Sequence, residues 1–385
     1  LKLVTTFILQ TAVVLLLLFS TSTDAVFGQI KDDSLQQGVQ YGFVPVMGFS
    51  SDIGFVGGGL LQRFDYGDGV RPFLYSSRMD VSISTKGFYA FNLVHEQTRT
   101  FNRRIRTLIT IEADKFRDNA FFGIGNTNTF DSDQWDDGYF LFESTSLLAF
   151  TEFRIPMLVH ENGAELDLLL GVFYMGRDNK ETDPDTYFAN NMFDTTDGWV
   201  TSLTTGLILE NRDSEFDPRR GQRLELRLEG SPLTSGEYGF GRLTLNLRNY
   251  IPIHRSITLA NQLQIEHTTG TAPFWYSPSL GDHLFLRGFA MNRFIGESLW
   301  TQNTEIRSWL FTLPIFDTRI GTQIFWDSGR VFTEGDKFGD VFSGVRHTIG
   351  IGGVASPFSP DFILRGDIGF SNELWRVYVA LGYAF

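Results

Sequence analysis

Chemistry at a protein site needs groups that can share protons, electron pairs or a metal ion, and this sequence holds few such sets. It contains no Gly-x-Ser-x-Gly elbow, no pair of histidines at metal-ligand spacing and no phosphate-cradling glycine loop entering a helix. His95, His160, His254, His267, His283 and His347 are scattered, and there is no cysteine. Thiolate chemistry, a disulfide framework and lipoprotein attachment are thereby excluded. Glu266, Glu305 and Asp367 could imitate an acid–base pair, but Arg307 and Arg365 favour a neutralised structural network. The expectation is a protein without catalysis, cofactor or metal. A different chemistry is concentrated in Leu286-Arg287-Gly288-Phe289, Arg293-Phe294-Ile295-Gly296 and Asn303-Thr304-Glu305-Ile306-Arg307. A guanidinium stays charged and presents five planar donors, so burying Arg287 demands carboxylate acceptors. Gly288 would let the chain pass close to a wall, and Phe289 would anchor the segment by burial.

The elements that must position these groups are strands. Strict two-residue alternation recurs, as in Arg223-Leu224-Glu225-Leu226-Arg227-Leu228-Glu229, with leucines on one side and charges on the other. Leu243, Leu245 and Leu247 likewise oppose Thr244, Asn246 and Arg248, and Ile320, Ile324 and Trp326 oppose Arg319, Gln323 and Asp327. Glu305 and Asp327 share the polar parity of their strands with Arg307 and Gln323. No helical pattern intervenes, which indicates a closed or sandwiched all-β architecture. The alternation predicts strands near 42–49, 54–64, 73–85, 87–98, 104–115, 139–153, 164–175 and 199–210. It continues with 222–230, 239–250, 256–267, 299–310, 318–327, 344–355, 361–370 and 375–385. A soluble sheet with one wet face could alternate in the same way. The 38 Phe, 12 Tyr and 7 Trp decide for a sixteen-stranded antiparallel transmembrane barrel, whose outer face and interfacial girdles take aromatics. An even count puts both termini on one side, expected to be periplasmic. The long connections 116–138, 176–198, 268–298 and 328–343 then fall together on the other.

The start of the sequence carries its own signal. Lys2, an apolar run over residues 7–19, polar residues 20–24 and then Val26-Phe27-Gly28 read as a secretory signal peptide over 1–28. The run is shorter than the ~20 residues a spanning helix requires. Residues 29–40 read as a short periplasmic leader and 41–385 as the barrel. The net charge of −13 argues against a nucleic-acid partner.

Four stretches together resemble the BamA/TamA assembly-and-translocation superfamily, the bacterial surface antigen barrels. They are the Arg287-Gly288-Phe289 segment with its flanks, Arg212-Asp213 with Asp217-Pro218-Arg219-Arg220-Gly221, Phe325-Trp326-Asp327-Ser328-Gly329-Arg330-Val331, and the ending Val377-Tyr378-Val379-Ala380-Leu381-Gly382-Tyr383-Ala384-Phe385. Their order and spacing cover residues 205–385; the likeness before that is looser. The resemblance implies a long sixth outer loop folded into the lumen, with Glu305 and Asp327 as partners of Arg287. The alternative is a solvated surface loop. It also implies a periplasmic turn carrying Asp213, Pro218 and Gly221, and a terminal insertion signal ending in Tyr383 and Phe385. In the last predicted strand, Trp375, Val377, Val379, Leu381, Tyr383 and Phe385 share one face. Pro45, which cannot donate to a ladder, and Gly382 mark the junction of first and last strands as a weak seam.

Insertion or translocation of protein or lipid at the outer membrane, with no chemical step, is what the resemblance implies. The family's docking domains find no counterpart in 29–40, so a separate periplasmic or outer-membrane protein is expected to join outer-membrane lipid as a partner. A gated diffusion porin is the rival, and a lipid-acting enzyme with a lipid-facing Ser/His pair is a third reading.

Overall fold

Alternation gives every strand one apolar and one polar face, and a sheet with an apolar outside and a polar inside is satisfied by curling round on itself. The computed structural model describes residues 37–385 except 71–72, 161–162, 192–196 and 358–361. The expected signal peptide over 1–28 and residues 29–36 lie outside the described residues. Sixteen strands pair in one antiparallel sheet in chain order. They are β1 (Val39–Ser50), β2 (Gly54–Asp65), β3 (Tyr75–Ser84), β4 (Phe88–Thr100), β5 (Ile105–Ala120), β6 (Leu141–Val159), β7 (Glu165–Glu181) and β8 (Gly198–Glu210). The second half comprises β9 (Gly221–Thr234), β10 (Gly239–His254), β11 (Ile257–Thr271), β12 (Ser298–Leu313), β13 (Thr318–Phe332), β14 (Arg346–Ser356), β15 (Leu364–Phe370) and β16 (Trp375–Leu381). Each predicted strand has its counterpart here.

Side-chain parity follows the sequence pattern. Leu224, Leu226, Leu228, Leu243 and Leu247 are exposed on the outer wall, whereas Asn246, Gln262, Glu305, Arg307, Gln323 and Asp327 are buried inside. No described helix is long and apolar enough to cross a membrane. The connections 121–140, 182–197, 272–297 and 333–345 gather at one end, here the loop end; the opposite end carries the start of β1 and the end of β16.

The last strand departs from the sequence expectation. It stops at Leu381, because Gly382 takes φ +76° and donates its N–H to the carbonyl of Ile363 at 2.8 Å. Tyr383 and Phe385 therefore do not extend the outward stripe of Trp375, Val377, Val379 and Leu381. Tyr383 lies over the Arg307 guanidinium at 3.9 Å, and Phe385 is buried beside Tyr250. The physical reason is a lumenal cation whose face and donors the aromatic tail can cover.

Candidate functional site: the filled lumen and the seam

The loop between β11 and β12 returns into the barrel as a hairpin, closed by pairing of Ser279–Leu280 with Phe294–Ile295. At its tip the backbone takes positive φ at Leu286 (+54°) and Gly288 (+123°). The first costs about 1–2 kcal/mol for a residue with a Cβ and is offset by complete burial of Leu286, Phe289 and Phe294 with Leu280, Leu299 and Val331. A Cβ on Gly288 would stand 3.0 Å from backbone atoms of Gly369 and Phe370, so the close pass against β15 needs glycine there.

This turn delivers Arg287, which has no solvent exposure, into a cluster of opposite charges. Its Nε and Nη2 donate to Asp327 at 2.9 and 2.8 Å, and Nη1 lies 2.6 Å from Glu305 and 3.2 Å from Asp367. Its guanidinium covers the Phe325 ring at 3.6 Å. Arg307 pairs with Glu305 at 2.8 Å and donates to the carbonyl of Phe385 at 3.0 Å; Arg365 pairs with Asp367 at 3.3 Å. Three guanidiniums thus face three carboxylates in the buried set. Space for it comes from β14, where a Cβ on Gly350 or Gly352 would overlap Phe325 or Asp367. Glu305, Asp367, Arg307 and Arg365 are accordingly members of one ion cluster; Glu266 sits apart from them, accepting from Gln264 at 2.6 Å.

Arg293, also fully buried, ties the hairpin to two other loops. It donates to Glu373 at 2.7 and 2.9 Å and to the carbonyl of Asn128 at 2.7 Å, and stacks over Phe122 and Phe294. The residue stood in a quoted motif, but its acceptors lie in distant loops that alternation does not register.

The turn 211–220 obstructs the opposite end. Asp213 accepts from the N–H groups of Arg219 and Arg220 at 2.9 and 3.2 Å, Pro218 is buried, and Gly221 (φ +103°) restarts the sheet. From this folded turn Glu215 reaches β5, where Arg106 donates to it at 2.9 and 3.2 Å. Asp217 reaches β12 and β13, accepting from Trp309 at 3.1 Å and Arg319 at 3.2 Å. The turn is thus a strap across the barrel mouth. Burial works against ionisation of Glu215, but Arg106 prevails and holds the carboxyl below its usual range.

The seam between β1 and β16 differs from every other junction. Its described contacts gather at the loop end: Ser51 N–H to Val377 O at 3.2 Å, a buried Asp52–Arg376 pair at 3.3 Å, and Gly48 against Val379. Because β16 ends at Leu381, that offset places its last residue opposite Val46 or Met47, leaving residues 39–45 beyond its reach. Pro45 lies in this stretch, paired with Gly59 of β2 on its other side.

Among the described residues, three Ser–His pairs occur on the outward face, Ser77–His95 (2.8 Å), His267–Ser298 (2.7 Å) and Ser328–His347 (2.9 Å). In each the serine meets Nδ1, the ring nitrogen that a third, orienting group would need.

Residues 77–371 match the Omp85 superfamily domain. Among solved structures, BamA from Haemophilus ducreyi lacking POTRA domains 1-3 aligns with TM-score 0.57 and 16% identity, over 90% of this chain and 70% of that one. CdiB from Escherichia coli aligns with TM-score 0.60 and 15% identity, over 89% and 62%. CdiB from Acinetobacter baumannii gives 0.56 and 10%, over 90% and 60%. At these identities the likeness is one of fold, and the chain spans about 60–70% of the length of those structures. The comparison with curated proteins found no match.

Proposed function

The chain belongs to the Omp85 superfamily, and from that membership we propose that this outer-membrane barrel assists insertion or translocation of protein or lipid without a chemical step. The half-paired seam carries the reading. In lipid every backbone donor and acceptor must find a partner, so seven residues of unpaired strand edge are costly unless another strand or a lipid headgroup comes to meet them. Cargo that supplies a strand edge at Val39–Pro45 is stabilised by the same hydrogen bonds that a closed ladder would have made. The start of β1 and the end of β16 then face the periplasm, where a separate protein can hand cargo to the open edge.

A diffusion porin would keep its lumen clear. Here the hairpin at one end and the strap at the other fill it, which favours the transport reading over the porin. Planar-bilayer recording separates the two. The intact barrel should show small, infrequent openings, and deletion of residues 281–293 should convert them to large, steady ones. Large steady conductance from the intact chain would favour the porin. A lipid-acting enzyme would lose hydrolysis of a phospholipid vesicle on substitution of Ser77, Ser298 or Ser328; the proposal expects no hydrolysis to lose.

A further inference from the structure

Besides the Ser–His pairs, the mostly apolar outward wall carries a line of carboxamides. Asn249 on β10, Asn261 on β11 and Thr304 on β12 stand side by side in register, with Gln302 one step along β12. Gln222 on β9 extends the line beside Asn249. The parity is outward, and the line runs through the apolar band: Leu247 and Ile251 flank Asn249, and Leu259 and Leu263 flank Asn261. Thr304 donates to Asn261 at 3.1 Å. Among the described residues the side chains of Asn249 and Gln222 make no hydrogen bond. A cleft of about 520 Å³ opens over the line, rimmed by Leu224, Leu247 and Leu263.

Acyl chains offer neither donors nor acceptors, so carboxamides at this depth are costly when unpaired. The geometry points to a self-association site, in which a second copy of this chain docks line against line across β9–β12. Each carboxamide is both donor and acceptor, so the line complements itself when turned about a twofold axis, as an isologous interface requires. Arg223 and Arg248 also line the cleft, but their parity is inward, where Arg223 pairs with Glu225 at 2.8 Å and Arg248 donates to Asn246 at 3.0 Å, so the outward line itself presents carboxamides and a hydroxyl. Apolar contact alone gives no drive in lipid, where acyl chains are equally apolar; close packing into the cleft and amide pairing supply it. Pairing through β9–β12 leaves the seam between β1 and β16 uncovered.

The absence of native cysteine makes the test direct. Leu247→Cys, placed on the cleft rim with all amides intact, is reconstituted in phosphatidylethanolamine–phosphatidylglycerol vesicles and treated with a short bis-maleimide. A cross-linked dimer is expected, with none from Ile109→Cys on the outward face of β5. In sedimentation the intact barrel should carry twice the protein mass of the Asn249→Leu/Asn261→Leu/Gln302→Leu variant, which should keep its heat-modifiable mobility and run as a monomer. A monomeric intact barrel, equal cross-linking at Ile109→Cys, or an undiminished dimer in the triple variant would each overturn the proposal. So would cross-linking of Leu247→Cys in native membranes to a different protein only.

Discussion

Arg287 grips Asp327 three times: its Nε and Nη2 reach the two carboxylate oxygens at 2.9 and 2.8 Å, and its own backbone N–H reaches Oδ2 at 3.2 Å. The side-chain pair fixes the charge, and the backbone contact fixes the loop to the wall of β13. A lysine could supply the charge but not the fork.

Arg287→Ala leaves three carboxylates facing two guanidiniums in a site closed to water. Breaking such a buried set is expected to cost about 3–5 kcal/mol. The expected readout is a lower temperature of conversion from the compact to the unfolded band on gels. Asp327→Asn should give a smaller loss in the same direction, since it removes one charge and keeps an acceptor. Unchanged conversion temperatures for both would show that the cluster contributes nothing to the fold.

Gly288→Ala tests the close pass against β15. With φ at +123° and backbone 3.0 Å away, the added methyl forces the hairpin tip outward. Conductance should rise toward that of the loop deletion, while the sixteen strands persist by circular dichroism. A wild-type trace would mean that the tip tolerates the methyl without moving.

Arg293→Gln should loosen the loop end without opening the lumen fully. It removes the charge that joins the hairpin to Glu373 and to the Asn128 carbonyl. Limited proteolysis should show faster cutting in 121–140 and 371–374. Equal rates would assign the order of these loops to their aromatic packing alone.

The strap has a pH dependence whose sign is fixed. Arg106 keeps the folded-state pKa of Glu215 below its ordinary value. A depressed carboxylate stabilises the fold above its unfolded pKa of about 4.3, and that contribution is lost as pH falls through the folded value. Hydrogen-exchange protection of 211–220, corrected for intrinsic rates, should hold steady from pH 7 to 5 and fade below about 4. Glu215→Gln should be poorly protected throughout. Loss of protection between pH 7 and 5 would contradict the Arg106–Glu215 anchor.

Strand number, order and inward parity were legible because alternation is local: each of Glu305, Asp327 and Arg307 declares its face by its immediate neighbours. Strand length was less so. β5 and β7 run several residues past the apolar band, where polar side chains on both faces hide the continuing ladder; β6 continues through Pro156 into Met157, Leu158 and Val159, where apolar residues on both faces erase the alternation. The turn at Gly382 escaped because Tyr383 and Phe385 keep the alternation in sequence while leaving the sheet in space. Asp367 as a third acceptor for Arg287, and Glu215 and Asp217 as the two feet of the strap, depend on contacts between residues 80 to 109 positions apart. Only closure of the barrel brings these together.

The central claim is that the seam between β1 and β16 opens for cargo, and a reversible lock tests it most directly. A Cβ on Gly48 would lie 3.5 Å from that of Val379, within the range a disulfide spans. The Gly48→Cys/Val379→Cys barrel is reconstituted in vesicles and offered an unfolded eight-stranded barrel diluted from urea, with folding read as protection from protease. The account predicts that the oxidised barrel fails to promote insertion and that reduction restores it, with compact gel mobility in both states. Full activity of the oxidised barrel would contradict the claim and send cargo by another route.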